Sequence, residues 1–307
     1  MKKIWIIGTR GSKLALRQTE IVMKHLERLY PDNQFSIKTI KTTGDTVWDK
    51  PLHVIGGKGL FVKEIEEQLL KHEIDMAVHS MKDLPAELEA GLAVGAVLER
   101  EDPRDAFLSL TYDSIKDIRP GGRIGTGSLR RKAQILHFNK GIEVVPLRGN
   151  VDTRIRKLTT QALDGIILAF AGVKRMGFED HVKEILPLDI MVPSSGQGAI
   201  GIEVRRDDRE AFALLKPVNH DISFQEVTIE RNLQAKIGGG CHVPLGINAT
   251  ISKGQLTLYV SLGREDGEHC MNENHTVNIT QTDTLLSEIS QKLSNLVSRY
   301  TILWDGQ

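Results

Sequence analysis

Short apolar runs and amphipathic segments alternate along the first third of the chain. Residues 4–7 form an apolar run that predicts a buried strand, and the apolar positions from Leu14 to Leu29 keep helical spacing until Pro31 ends the helix. Further strands are predicted at 35–42, 74–78 and 92–98, with an amphipathic helix at 61–71. This alternation favours a mostly parallel sheet covered by helices.

A charged, proline-containing segment at 99–105 interrupts the pattern and is a candidate hinge. A second α/β unit follows, with strands predicted at 106–110, 123–125, 142–147 and 165–169 and helices starting near Leu129 and Val151. Residues 193–198 break the pattern again and are a second candidate hinge. The strand at 199–204 and the helix at 208–215 that follow are placed to complete the first unit.

The last part of the chain has a different pattern. A long helix is predicted from Asp221 to Lys236, followed by a glycine turn that ends in Cys241. Alternating strands near 247–250 and 255–262 and a final helix near 283–298 indicate a smaller α+β domain with an antiparallel sheet. We therefore predict three domains: residues 1–98 with 199–216, residues 104–192, and residues 221–307.

Composition and charge narrow the classes of function. The chain has 307 residues, 40% of them hydrophobic and 26% charged, and its 40 Lys and Arg balance its 40 Asp and Glu. A globular protein of two or three domains is indicated, and zero net charge with few aromatic residues argues against a nucleic-acid partner. The first apolar run is too short for a signal peptide and no stretch reaches membrane-spanning length, so we expect a cytoplasmic protein without a membrane partner.

The cysteines and histidines show no metal-binding pattern. The 10 histidines lack the spacing of known metal sites, and no metal is predicted. Cys241 and Cys270 are both expected to be thiols, because a reducing cytoplasm and a large core make a structural disulfide unnecessary. Cys270 lies in a polar stretch and is assigned no role.

Six arginines fall at related places in the predicted α/β units. They lie just after predicted strands or in the first turns of the helices that follow, at the edge where open α/β sheets bind ligands. Guanidinium groups bind carboxylate or phosphate through paired hydrogen bonds, so the pattern predicts a cleft between the two units that holds a polyanion. Any one of them alone is more often a solvated or ion-paired surface residue. The six are Arg10, Arg130, Arg131, Arg148, Arg154 and Arg175.

Two glycine-rich loops are candidate anion sites. In residues 125–128, between a strand and a helix, Thr126, Ser128 and the backbone amides are able to contact an anionic oxygen. Arg130 stands where a dinucleotide fingerprint needs its third glycine, so no nicotinamide cofactor is indicated. Residues 56–59 depart from the P-loop pattern, and a flexible lid carrying Lys58 and an inert loop are equally good interpretations.

Asp83 and Cys241 are the candidates for the chemistry itself. Asp83 follows the strand predicted at 74–78, where a carboxylate near cationic groups accepts a proton or holds a cation. An aspartate before Leu and Pro is, however, more often a turn or cap residue. Cys241 follows three glycines, and a thiol on so tight a turn suits covalent attachment better than buried packing.

Taken together, these residues resemble those of the porphobilinogen deaminases, also called hydroxymethylbilane synthases, of tetrapyrrole biosynthesis. The matching segments run in order along the chain: 9–10, 56–61, 77–83, 101–105, 128–131, 147–150, 196–198 and 239–241. The resemblance implies two doubly wound domains like those of a solute-binding protein, around a cleft, with a smaller α+β C-terminal domain that has an antiparallel sheet.

The resemblance also implies a cofactor and a reaction. A dipyrromethane, made from substrate, is attached to Cys241 by a thioether. Four porphobilinogen molecules are joined head to tail on this primer, each losing ammonia, and hydrolysis then frees 1-hydroxymethylbilane. The expected partners of this transferase are therefore porphobilinogen and its linear oligomers, and the enzyme is expected to be a monomer.

Individual roles follow from the same resemblance. Asp83 is the expected catalytic residue, which holds pyrrole N–H groups, stabilises the cation left when ammonia departs, and moves protons. The expected cofactor ligands besides Cys241 are Lys82, Asp83, Thr126, Ser128, Arg130, Arg131, Arg148 and Gly149. The expected substrate ligands are Arg10, Ser12, Arg148, Arg154 and Arg175. Lys58 is expected in a mobile loop and Gln197 in the hinge region, and Gly127 stands where many members have serine.

Two other functions fit part of the pattern. A two-lobed receptor for a small anion would explain the arginines and the hinges, but not the cysteine on its glycine turn. A phosphoryl-transfer enzyme fits less well, because both glycine loops depart from their templates. A covalent adduct on Cys241 would separate the enzyme from the binding module.

Overall fold

A computed structural model describes residues 3–46, 62–237, 243–268 and 270–304. Contacts divide the chain into two compact units, Met1–Glu101 with Gly198–Gln225 and Asp102–Gln197 with Glu226–Gln307. The chain crosses between the units within both candidate hinge segments, and a third time at residues 225–226. The second unit contains residues of both later predicted domains, so the division into three domains stays a prediction.

Strands and helices alternate through most of the described chain. The strands are β1 Ile4–Arg10, β2 Gln34–Ile40, β3 Met76–Ser80, β4 Leu92–Val97, β5 Asp105–Leu108, β6 Arg123–Gly125, β7 Glu143–Val145, β8 Gly165–Ala169, β9 Val182–Ile185, β10 Ile200–Arg205, β11 Leu245–Ser252, β12 Gln255–Leu262 and β13 Met271–Asn278. The helices are α1 Lys13–Leu29, α2 Thr43–Thr46, α3 Lys63–Leu70, α4 Leu129–Phe138, α5 Val151–Thr160, α6 Phe170–Arg175, α7 Arg209–Leu215, α8 Asp221–Ile237 and α9 Thr282–Trp304. None of these described helices is long and apolar enough to cross a membrane.

The first unit is built on a five-stranded sheet in the order β2-β1-β3-β10-β4. β1 pairs in parallel with β2 and β3, whereas β10 is antiparallel to both β3 and β4. Apolar side chains of the strands and of α1 and α7 form one core cluster, which includes Ile7, Val22, Met76, Ile202 and Leu215. The predicted return of the chain to this unit after residue 198 is therefore seen as β10 and α7.

The second unit contains a sheet of similar plan, in the order β7-β6-β8-β5-β9. β6 is parallel to β7 and β8, and β5 is antiparallel to β8 and β9. In each five-stranded sheet four strands thus run in the same direction and one, β10 or β5, runs opposite to them, which confirms the expectation of mostly parallel sheets. β5 and β10 are each the first strand after a crossing between units, so no covering helix imposes the parallel direction on them.

A three-stranded antiparallel sheet, in the order β11-β12-β13, lies in the second unit. β11 and β12 are joined by Lys253 and Gly254, whose φ angles of 50° and 75° are those of a tight hairpin turn. Side chains such as Leu258 and Val260 form a core with Leu286 of α9 and Leu233 of α8. The two α/β sheets with covering helices and this smaller C-terminal antiparallel sheet confirm the predicted fold class.

Candidate active site

Asp83 lies at the end of a 3-10 turn, Met81–Asp83, which directly follows β3. The Asp83 side chain is exposed and that of Lys82 is half-buried, whereas Met81 is buried. The Met81 amide donates to the carbonyl of Ala199 at 3.0 Å, which ties the turn to the segment that enters β10. The turn therefore has a fixed base and presents its carboxylate to solvent.

Arg10 and Ser12 lie together at the carboxyl end of β1. Arg10 is the last residue of the strand, and Ser12 is the N-cap of α1, where its Oγ accepts a hydrogen bond from the Ala15 amide at 3.3 Å. The hydroxyl of Ser12 keeps its hydrogen as a donor for a carboxylate. Both residues thus lie at the junction of β1 and α1, although the strand extends to Arg10 and not only to residue 7 as predicted.

The loop from β6 to α4 holds Thr126 and Ser128. The buried Thr126 hydroxyl accepts a hydrogen bond from the Ser128 amide at 3.2 Å, and Ser128 caps α4 by accepting from the Arg131 amide at 3.4 Å. Both predicted carboxylate ligands therefore also fix the loop itself. A Cβ atom on Gly127 would lie 2.7 Å from the carbonyl oxygen of Leu147, so a larger residue there requires the backbone to shift.

Arg130 and Arg131, in the first turn of α4, share one buried carboxylate. Nη1 of Arg130 lies 2.8 Å from Oδ2 of Asp105, and Nη2 of Arg131 lies 2.7 Å from Oδ1. Arg130 also donates to the carbonyl of Val192 at 2.7 Å and Arg131 to that of Ile167 at 3.1 Å. Both side chains are buried, so they are structural members of the second unit as well as candidate ligands.

Gln197 completes the cluster around Asp105. Its side-chain amide donates to Asp105 Oδ1 at 2.8 Å and to the carbonyl of Pro103 at 2.7 Å. Burial acts to raise the pKa of Asp105, but the charges of Arg130 and Arg131 and their hydrogen bonds outweigh it and hold that pKa well below its usual range. Asp105 is therefore ionised, and the three charged groups together keep one surplus positive charge.

Arg148, Gly149 and Arg154 lie around the loop that leads from β7 to α5. Gly149 has a φ of 116°, and its carbonyl accepts a hydrogen bond from Nε of Arg154 at 2.6 Å. The carbonyl of Arg148 accepts one from Nζ of Lys157 at 3.0 Å. Arg154 and Lys157 thus hold the loop in shape from the first two turns of α5.

Arg175 differs from its predicted place. It is the last residue of α6 and is separated from β8 by the whole of that helix. The expectation that it lies just after a strand or in the first turn of a helix was wrong, because residues 170–175 form a short helix of their own. The guanidinium is half-buried and remains a candidate ligand by resemblance alone.

Several predicted site residues lie outside the described residues. They are Cys241 with its glycine turn, and Lys58 with the surrounding loop at 56–59. The other cysteine, Cys270, is described: burial first, then the charge of Asp266, raises the pKa of its thiol to about 11. Within the described ranges, no group of three His, Cys, Asp or Glu side chains is arranged to hold a metal ion.

Sequence reasoning missed the buried carboxylates of the second unit. Asp105 was noted only within a candidate hinge and within a segment that resembles the family, with no role of its own, yet it is the partner of both α4 arginines. Glu230 of α8 was not noted, yet it accepts hydrogen bonds from the Gly196 amide at 2.6 Å and the Ala249 amide at 2.8 Å. Glu230 thereby links the second crossing segment to β11. An acidic residue at the end of a charged segment and directly before an apolar run was the one available signal for Asp105.

Comparison with known proteins shows what the chain is similar to. Residues 5–213 match the family model described as porphobilinogen deaminase, dipyromethane cofactor binding domain, and residues 224–295 match the porphobilinogen deaminase C-terminal domain. A porphobilinogen deaminase of Syntrophomonas wolfei is 50% identical over 262 residues, which cover 85% of this chain and 86% of that protein. One from Carboxydothermus hydrogenoformans is 44% identical and covers 97% of this chain and 99% of its own.

Solved structures give more distant matches. The methionine binding protein MetQ aligns with a TM-score of 0.44 and 13% identity over 73% of this chain and 93% of its own. A periplasmic substrate-binding protein of an ABC transporter from Coxiella burnetii aligns with a TM-score of 0.43 and 12% identity over 72% and 94%. At this distance neither match bears on activity.

The matched region of this α/β fold is a cofactor-binding domain, and arginines lie at the ends of its strands and helices. Together with the relatives above, these features place the chain in the class of transferases that carry a cofactor. The chain belongs to the porphobilinogen deaminase family. Its cofactor is dipyrromethane, and its reaction is the deaminating condensation of porphobilinogen in tetrapyrrole biosynthesis.

Proposed function

We propose that Asp83 is the catalytic residue of this condensation and that Cys241 is the attachment point of the dipyrromethane. The observation that carries the first assignment is the exposed position of Asp83 in a turn whose base is fixed by the Met81 amide. A carboxylate so placed is open to a substrate while its backbone is held. The second assignment rests on the family match and on the Gly-Gly-Gly-Cys segment of the sequence.

Each condensation breaks one bond and forms one. The C–N bond of the aminomethyl group of porphobilinogen would break and free ammonia within the site, a C–C bond would form between the freed methylene and a pyrrole carbon, and that carbon would give up one proton. The Asp83 carboxylate stabilises the positive charge that ammonia leaves behind and accepts the ring proton. It then passes this proton to ammonia, which departs as ammonium.

The cationic side chains of the second unit fit a ligand that carries carboxylates. Each pyrrole ring brings an acetate and a propionate, and Arg130 and Arg131 hold one positive charge more than Asp105 neutralises. Thr126 and Ser128 each keep a hydroxyl hydrogen to donate. When bound, the dipyrromethane supplies the free pyrrole end to which the chain is extended. In this proposal Arg130, Arg131 and Arg148 hold its carboxylates, and Arg10, Arg148, Arg154 and Arg175 hold those of incoming substrate.

Replacement of Asp83 tests its assignment. In Asp83→Asn the side chain keeps its size and still forms hydrogen bonds, but it carries no negative charge and does not accept a proton. Turnover is expected to fall by at least about 10²-fold, the lower end for a general acid–base group, while the cofactor stays attached by intact-mass measurement. Asp32→Asn, an exposed carboxylate of the same unit, is the matched control. Near-normal rates in Asp83→Asn would overturn the assignment.

The tether is tested by mass alone. Wild-type protein supplied with porphobilinogen is expected to weigh more than its sequence by a covalently bound dipyrromethane, and Cys241→Ser is expected to carry no adduct. Cys270→Ser is the matched control and is expected to keep the adduct. Loss of the adduct from Cys270→Ser instead would move the tether to that residue.

We propose further that the enzyme acts as a monomer. The exposed large apolar side chains among the described residues lie on separate elements: Ile4, Leu29, Leu70, Leu110 and Ile222. Scattered apolar side chains are normal on a monomer's surface. Sedimentation at micromolar concentration is expected to give the mass of one chain, and a dimer would contradict this. The cytoplasmic location stays a prediction of the sequence.

A further inference from the structure

Three ionisable side chains are buried in the first unit on β3, which leads into the turn that carries Asp83, and on its neighbours β10 and α3. Nε2 of His79, on β3, lies 3.0 Å from Oε2 of Glu203, on β10, and their side chains are 3% and 0% exposed. Glu66, on α3, is 8% exposed, and α3 packs against both β3 and β10, so that the charges of Glu203 and His79 act on the ionisation of Glu66. We call these three residues the buried triad.

The hydrogen bond between His79 and Glu203 joins the two strands that set the position of the turn. β3 and β10 are antiparallel, with Gly201 opposite His79 and Ile200 opposite Ser80. The next residues after this register are the turn itself, whose Met81 amide bonds to the carbonyl of Ala199. A slip or separation of β10 at His79 would therefore move the base of the turn.

Side-chain packing ties the turn to the same strand. Met81 lies over Gly201, so closely that any Cβ atom there would collide with its sulfur. On the α1 side, Ser80 donates to Oε1 of Gln18 at 2.9 Å. The turn is thus held by α1 and by β10, and the hydrogen bond between His79 and Glu203 adds a buried side-chain contact between β3 and β10.

Glu66 brings a second carboxyl group into this buried place. Oε1 of Glu66 and Oε1 of Glu203 are both buried without a hydrogen-bond partner among the described residues. Burial, then the charge of Glu203, raises the pKa of Glu66 to about 7, against the opposing effects of His79 and of the Glu89 backbone. The charge of Glu89 itself adds to the rise. Near neutral pH Glu66 therefore changes between a neutral donor and a second buried negative charge.

We propose that His79 and Glu203 are positioning residues that keep the turn bearing Lys82 and Asp83 in place against β10. We propose also that this positioning requires Glu66 to be protonated. The protonated carboxyl of Glu66 is compatible with burial in the triad, because it is neutral and adds no second charge near Glu203. Loss of that proton places two carboxylates in the same buried region, which weakens the contact between α3 and β10. The proposal rests on the catalytic role proposed for Asp83.

The first test measures how firmly the turn is bonded to the segment before β10, and it does not depend on enzyme activity. In holoenzyme, hydrogen exchange of the Met81 amide reports the bond to Ala199 directly. His79→Phe, which fills the space but donates no hydrogen bond, is expected to speed this exchange by about tenfold, the effect of weakening one hydrogen bond. His79→Gln, which keeps a donor for Glu203, is expected to restore slow exchange. An unchanged Met81 amide in folded His79→Phe would overturn the proposal.

The second test follows the pH dependence of turnover. In wild type kcat is expected to fall as pH rises through about 7, where Glu66 loses its proton. Glu66→Gln, which mimics the protonated form, is expected to keep the kcat found at low pH and to lose this fall, with KM unchanged. Asp75→Asn, a buried carboxylate next to the opposite end of β3, is the matched control and keeps the wild-type profile.

The two tests separate this proposal from the assignment of Asp83. If Asp83→Asn kept full turnover, the catalytic assignment would fail. Hydrogen exchange of the Met81 amide would still show whether His79 keeps the turn bonded to Ala199. If Glu66→Gln lowered kcat equally at every pH, or if its fall above pH 7 persisted, the role of Glu66 would be wrong whatever Asp83 does.

Discussion

Arg131 donates two hydrogen bonds to the same oxygen of Asp105, from Nη2 at 2.7 Å and from Nε at 3.2 Å. Asp105 is fully buried at the start of β5, and Arg130 lies against its other oxygen. The first turn of α4 is thereby fixed to the strand that follows the first crossing between units. The guanidinium groups proposed as carboxylate ligands are held in place by a carboxylate of the protein itself.

Loss of the Asp105 charge is expected to destabilise the second unit strongly. Asp105→Asn leaves two buried guanidinium groups without their counter-ion, and removing one partner of a buried pair costs about 3–5 kcal/mol. The free energy of unfolding, measured in urea at pH 7, is expected to fall by that amount. Asp180→Asn, an exposed carboxylate of the same unit, is expected to change it by less than about 0.5 kcal/mol. Equal stability of the two variants would contradict the role given to Asp105.

The same pair predicts how stability responds to acid. Because the pKa of Asp105 is lower in the folded protein than in the unfolded chain, its stabilisation is present above the unfolded value near 3.8 and is lost as pH falls through it. Wild type is therefore expected to lose stability below about pH 4 more steeply than Asp105→Asn, by up to about 1.4 kcal/mol per pH unit. Urea unfolding at pH 3 and pH 5 measures both slopes, and parallel slopes would show that Asp105 does not titrate in this way.

Two of the arginines proposed to bind the cofactor, Arg131 and Arg148, are expected to differ in what they do for the fold. Arg131→Leu removes a buried partner of Asp105 and is expected both to lower stability and to impair assembly of the cofactor. Arg148 is half-buried, and its carbonyl accepts a hydrogen bond from Lys157 that Arg148→Leu leaves in place, so this variant is expected to impair chain growth mainly through loss of the guanidinium. Intact-mass spectra during turnover resolve each added pyrrole. Unchanged elongation in both variants would argue against the assignment.

Strong apolar runs made much of the fold predictable. The strand predicted at 165–169 is β8, and the one predicted at 255–262 is β12. β13, Met271–Asn278, was missed because its residues are mostly polar and alternate between half-buried and exposed. It is an edge strand that pairs with β12 alone, and its place depends on that partner rather than on its own hydrophobicity.

For the candidate site, the sequence predicted where single residues lie along the chain but not which distant residues contact one another. The predicted position of Asp83 after a strand is confirmed, since the turn Met81–Asp83 follows β3, while its role stays a proposal. The pairing of Asp105 with Arg131 joins residues 26 positions apart, and that with Gln197 joins residues 92 positions apart. No local pattern reports such contacts, since they arise when β5 and α4 pack in the folded unit. The same holds for His79 and Glu203, which are 124 positions apart.

Glu66 is expected to make the first unit less stable as pH rises. Its pKa, about 7 in the folded protein, exceeds the ordinary value of 4.5, so the folded state holds the proton more tightly than the unfolded chain does. Stability should therefore fall between pH 4.5 and about 7, by at most about 1.4 kcal/mol per pH unit, and then level off. Glu66→Gln removes this fall and should be more stable than wild type at pH 8 but not at pH 4. Glu67→Gln, a change at an exposed neighbour on α3, should have the stability of wild type at both pH values. The midpoints of urea unfolding of the three proteins at pH 4 and pH 8 measure these differences. A wild-type fall that survives in Glu66→Gln would assign the titration to another group.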